Sequence, residues 1–339
     1  STGTLTTFLA KPDANHEWTR MPNFRLTKEE ADQLAAYILA NGDEPKSAVA
    51  STDTALLEKG AKLLETTGCV ACHGGTKLKN ELKSKPAADL AAAQWNKGCM
   101  ADEPDAKAPA FGFSAGEKAA LRAFAATDRQ SLQRHVPADF AERQTTHLNC
   151  TECHGKIDGF PGLPIIGGKL KPEWAASFIG GKVSYKPRPW LEARMPGFAK
   201  RADALAEGLA MEHGLPPKTP AQPEVDKEAS EIGRTLVGSD GGLSCLACHA
   251  VGKLGATQVF ESAGINFAYT GERLQPTYFH RWLLNPLRVD PQTKMPVYFD
   301  QGRSPLGDYY GGDAHKQIDA LWNYIRLGPN MPLPKDANQ

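Results

Sequence analysis

The 339-residue sequence predicts a mainly α-helical protein, built from repeated helical units and carrying very little β structure. Three observations predict it. A Cys-x-x-Cys-His pentapeptide recurs at Cys69, Cys150 and Cys245, each time after a stretch of helical periodicity. Helix signals recur at matching places: Thr27-Lys28-Glu29-Glu30 and Ser114-Ala115-Gly116-Glu117 fit the reciprocal pattern in which hydroxyl and carboxylate satisfy free N–H groups. Runs able to form strands are scarce, and Leu163-Pro164-Ile165-Ile166 is short and broken by proline.

The elements fall into four blocks. The first, residues 1–45, runs through Phe8 and Arg20-Met21-Pro22 to a helix from about Thr27 to Ala40, with an apolar face of Ala31, Leu34, Ala35 and Ile38. It has no pentapeptide. Blocks 55–127, 138–213 and 225–330 each begin with an amphipathic helix, continue into Cys-x-x-Cys-His and end with a second helix. The linkers, Asn41 to Thr54, Thr127 to Pro137 and Gly214 to Glu224, are rich in turn formers. Pro172 and Pro276 suit first helical turns, Asp313 suits an N-cap for a helix reaching Leu327, and Gly328 suits its stop. Trp174, Trp282 and Trp322 lie on these helices and read as core aromatics.

Each pentapeptide reads as a covalent haem c attachment site. Residues three apart on a helical turn share a face, so Cys69 with Cys72, Cys150 with Cys153 and Cys245 with Cys248 can each bind one porphyrin through two thioethers. His73, His154 and His249 then sit under the iron as proximal ligands. Zinc would need a second ligand pair at compatible spacing and gives no reason for His after every second cysteine. A thioredoxin-like pair would occur once, beside a strand-helix-strand pattern. The expected cofactor is therefore haem c, three per chain.

Lys+Arg and Asp+Glu both number 39, a balance that argues against a nucleic-acid binder or a polybasic membrane sensor. No apolar run approaches the roughly 20 residues of a membrane span. Haem c is attached outside the cytoplasm, so a removed export signal and a soluble, periplasmic protein are expected. The seventh cysteine, Cys99, is left without an intrachain disulfide partner once the other six are thioethers.

Three stretches repeat a further layout. Phe8 precedes Met21-Pro22 by thirteen residues, Trp282 precedes Met295-Pro296 by thirteen, and Phe178 precedes Met195-Pro196 by seventeen; a helix follows each. A helix leading into Cys-x-x-Cys-His, an irregular segment, an Arg/Lys-Met-Pro loop and a closing helix resembles the class I c-type cytochromes, over nearly the whole chain. The resemblance implies tandem cytochrome c-like helical domains and electron transfer between a donor and an acceptor protein. It implies axial pairs His154/Met195 and His249/Met295, 41 and 46 residues apart. A neutral, soft thioether opposite His raises the reduction potential.

The first haem departs from the pattern, because Ala108 stands where the repeat puts methionine. Four readings stay open for its sixth ligand: the thiolate of Cys99, Met100, Met21 from the first block, or an open position. An open position would suit a haem enzyme acting on peroxide or a sulfur compound, with Glu103, Asp105 and Lys107 nearby in sequence. The first block also reads as the second half of a cytochrome c domain, which suggests a piece of a longer protein or a module tethering a larger assembly. His135, His147 and His280 read as surface or hydrogen-bonded structural groups.

Overall fold

The computed structural model describes residues 2–14, 17–42, 53–67, 69–71, 77–81, 83, 85–102, 111–157, 159–259 and 263–335. Among these residues the regular structure is helical, and β pairing is confined to isolated bridges. Residues 1–42 and 136–339 form one compact unit, and residues 43–135 form another.

In the first unit, α1 (Thr2–Ala10) packs on α2 (Lys28–Asn41). The capping box at Thr27 is formed: the Glu30 N–H donates to Thr27 Oγ1 at 3.2 Å, and the Thr27 N–H donates to Glu30 Oε2 at 2.8 Å. Ala31 and Ala35 are buried with Leu9, whereas Leu34 and Ile38, on the same predicted apolar face, are exposed.

The next block contains α3 (Thr54–Thr66) and α4 (Ala115–Ala125), both in the second unit. Asp53 caps α3 by accepting from the Ala55 and Leu56 N–H groups, and Ser114 with Glu117 forms the predicted box on α4. Trp95 meets Phe124 edge-on at 6.1 Å.

The remaining blocks belong to the first unit. One comprises α5 (Pro137–His147), α6 (Leu163–Lys169), α7 (Pro172–Ile179) and α8 (Ala202–Glu212). The run beginning at Leu163 is thus helical: Pro164 falls in the first turn, where its missing N–H is not needed. The other comprises α9 (Lys227–Val237), α10 (Thr270–Arg273), α11 (Pro276–Leu284), α12 (Pro286–Val289) and α13 (Ala314–Ile325).

Both blocks are closed the same way, first helix against last. At Gly208 of α8 a Cβ would stand 2.2 Å from the Pro137 carbonyl oxygen of α5, and at Gly233 of α9 it would stand 2.1 Å from that of Ala320 in α13. Only glycine permits these crossings. They bury Ala141, Leu205 and Leu209 in one block and Leu236, Val237, Leu321 and Tyr324 in the other. Each fully buried large apolar side chain contributes about 1.5–3 kcal/mol, so these crossings anchor the segments that follow them.

Short backbone pairings join consecutive blocks of the first unit. Asn23 and Gly197 exchange N–H···O bonds of 3.0 and 2.8 Å, tying the Met21 loop to the Met195 loop. Leu170 and Leu274 form the second bridge, with the Lys171 N–H donating to the Arg273 oxygen and the Gln275 N–H to the Lys169 oxygen, both at 2.9 Å.

Candidate haem-ligand sites

Helices α5 and α9 deliver the pentapeptides. Before each pentapeptide one residue takes the left-handed conformation, Asn149 at φ 56° shortly after α5 and Ser244 at φ 55° seven residues beyond the end of α9, and the chain then enters a 3-10 turn, Cys150–Glu152 or Cys245–Ala247. Side chains at i and i+3 eclipse in such a turn, which sets Cys150 with Cys153 and Cys245 with Cys248 on one side. Cys69–Ala71 forms the same turn; Cys72 and His73 lie outside the described residues.

Both described histidines are oriented by backbone. His154 Nδ1 lies 3.0 Å from the Pro161 carbonyl oxygen, and His249 Nδ1 lies 2.8 Å from that of Ile265. A carbonyl can only accept, so Nδ1 carries the proton and Nε2 presents its lone pair. Burial pushes the His249 imidazole below its ordinary range and holds it neutral. Gly264 makes room for that ring, since a Cβ there would come within 2.4 Å of it, and the Phe267 ring stacks on it with centres 4.6 Å apart.

His154 and Met195 are brought together: Nε2 and Sδ are 3.5 Å apart, within reach of one ion if the pair parts slightly. Among the described residues no contact in hydrogen-bond range joins His249 to Met295. The Met295 sulfur accepts the Trp282 indole N–H at 2.9 Å, and the methionine packs against the core of block 225–330. In sequence Trp282 reads as a core aromatic, and its thirteen-residue spacing from Met295 is the signal that points to this contact.

The chain matches no family model, no curated protein and no solved structure.

Fit to a haem thus rests on these side chains: paired cysteines on one side of a turn, an imidazole with its Nε2 free, and in block 138–213 a thioether facing it. Burial pushes the Cys245 thiol up to about 12 and raises that of Cys150, so neither holds the thiolate that disulfide exchange requires.

Met21 packs with the Leu9, Ala31 and Ala35 cluster. Its loop is held to block 138–213 by Arg25, whose Nη2 donates to the Met195 oxygen at 2.9 Å, and by Arg201, which donates to the Trp18, Thr19 and Gln144 oxygens. Cys99 lies half-buried in a turn with the buried Met100. Ala108, Glu103, Asp105 and Lys107 lie outside the described residues. The His280 imidazole bonds Asp319 at 2.7 Å, and the His147 backbone carbonyl accepts from Arg20.

Proposed function

We propose that this chain is an electron-transfer protein of the class I c-type cytochrome kind, carrying three covalent haems at Cys69/Cys72, Cys150/Cys153 and Cys245/Cys248, with His73, His154 and His249 as proximal ligands. The observation that carries the reading is the second site, where His154 presents Nε2 to the Met195 sulfur while Pro161 fixes its tautomer.

Bound haem would supply a one-electron couple. The residues of the chain hold and tune it. Met195 and Met295 are soft, neutral donors suited to keeping the ferrous form, and Trp282 steadies the Met295 sulfur. For the first haem we assign the sixth position to Cys99, which belongs to the same compact unit as Cys69. The enzyme reading depends on the surroundings of Ala108, outside the described residues.

We further place the protein outside the cytoplasm, where haem c is attached, meeting donor and acceptor proteins through small, transient contacts. Among the described residues no helix is long and apolar enough to cross a membrane.

The test is haem content. Purified protein should retain three haems per chain under denaturing conditions, the sign of thioether attachment. Fewer than three would defeat the assignment.

A further inference from the structure

The junction between α6 and α10 gathers positive charge where water is scarce. Gly168-Lys169-Leu170-Lys171-Pro172 and Glu272-Arg273-Leu274-Gln275-Pro276 meet antiparallel about the Leu170/Leu274 bridge, each segment ending one helix and opening the next. Lys169 and Arg273 hold equivalent places, and each reaches across the bridge to an aromatic ring of the other block. Lys169 Nζ lies 5.2 Å from the Tyr278 ring centre, and the Arg273 guanidinium lies 5.7 Å from that of Trp174.

The ring faces satisfy the cations only in part. Arg273 is 6 % exposed, and its Nε has no hydrogen-bond partner; neither has the buried Tyr278 hydroxyl. Burial, together with repulsion from Arg273 and Arg188, pushes the Lys169 amine down to about 7, and burial with Arg188 pushes Arg273 down to about 10. Arg281 stacks on Tyr278 as well, at 5.6 Å. Two carboxylates act on the cluster electrostatically: Asp290, and Glu272, which accepts the Tyr185 hydroxyl. Buried cations and unpaired donors are costly unless anions meet them.

Resting on the haem reading above, we propose that this junction is a shared anion site for the second and third haems, at which Lys169 and Arg273, with Arg188 and the Tyr278 hydroxyl, receive propionate carboxylates from both. One cluster then couples the two irons, and the potential of each depends on charge at the other. The first α-helices after His154 and His249 are α6 and α10, which end at this junction.

Redox titration of the intact protein, wild type beside Lys169→Met and Arg273→Gln, with haem content measured on every sample, tests this. Three haems should remain attached in each variant. Removing either cation should lower the midpoint potentials of both haems, by about a tenfold change in each redox equilibrium, or about 59 mV for one electron. Arg273→Lys should restore most of the shift. Unchanged potentials with three haems present would overturn the proposal, and so would a shift of one haem alone. If one variant does not accumulate, the other reads the same cluster from the opposite block. Inorganic phosphate added to wild type should leave the potentials unmoved; a phosphate-dependent shift lost in Lys169→Met would instead mean a free anion occupies the cluster. Fewer than three haems on the wild-type chain would strike the haem reading itself, separately from this site.

Discussion

The Nε2 atom of His154 and the sulfur of Met195 stand 3.5 Å apart, although 41 residues separate them in sequence. Two constraints produce the meeting. The turn after α5 and the Pro161 carbonyl fix the imidazole, and the Met195 loop is clamped by the Asn23–Gly197 exchange and by Arg25. A core methionine needs neither a histidine opposite it nor a loop held from both sides.

The clamp should be sensitive to Arg201. This residue is 5 % exposed, donates to the Trp18 and Thr19 carbonyls and to Gln144, and lies over the Trp18 ring at 4.9 Å. Arg201→Ala leaves those acceptors unpaired and should cost about 2–4 kcal/mol, from hydrogen bonds to a charged group at about 1.5–3 kcal/mol each less what water recovers. Chemical denaturation should report the loss, with proteolysis near residues 17–25 accelerated.

Gly264 should tolerate no side chain. A Cβ there meets the His249 ring at 2.4 Å, so Gly264→Ala must displace the imidazole or the backbone, at about 1–3 kcal/mol for overpacking. Gly255→Ala, where a Cβ meets nothing within 4 Å, is the matched control and should leave the melting temperature nearly unchanged. The contrast between them is read by thermal unfolding.

Trp282→Phe keeps the ring but removes the indole N–H from the Met295 sulfur. That donor draws electron density from the thioether, so under the proposed Met295 ligation its loss should strengthen donation to ferric iron and lower the potential of the third haem. Redox titration should show one component moving while the second haem holds.

Cys99→Ser addresses the first haem. If thiolate is its sixth ligand, the variant should replace one low-spin signal of the oxidised protein and leave the other two, as seen by electron paramagnetic resonance. Three unchanged signals would remove Cys99 from the site.

Much of the helical framework was legible in residue types. Thr27, Ser114 and Asp313 cap α2, α4 and α13 as their side chains demand, and Pro172 and Pro276 open α7 and α11. The helix at Leu163 is not legible in sequence, because a four-residue apolar run carries too little periodicity to distinguish helix from strand. Pairing of the Met21 and Met195 loops was illegible for a different reason: it uses N–H and C=O groups that every residue carries. The Lys169 and Arg273 junction left one trace, a repeated Leu-x-Pro after a basic residue, which acquires meaning only once the two segments are seen to meet. His154 and Met195 could be paired from the repeat, but the carbonyl that sets the histidine tautomer could not, since Pro161 contributes backbone alone.

The most direct measurement is electron paramagnetic resonance of the fully oxidised protein, wild type beside Met195→Ala. The account predicts that one low-spin signal disappears in the variant and is replaced by an open or water-ligated iron, with three haems still attached. Identical spectra would contradict it, because Met195 would then hold no iron and its approach to His154 would be packing alone.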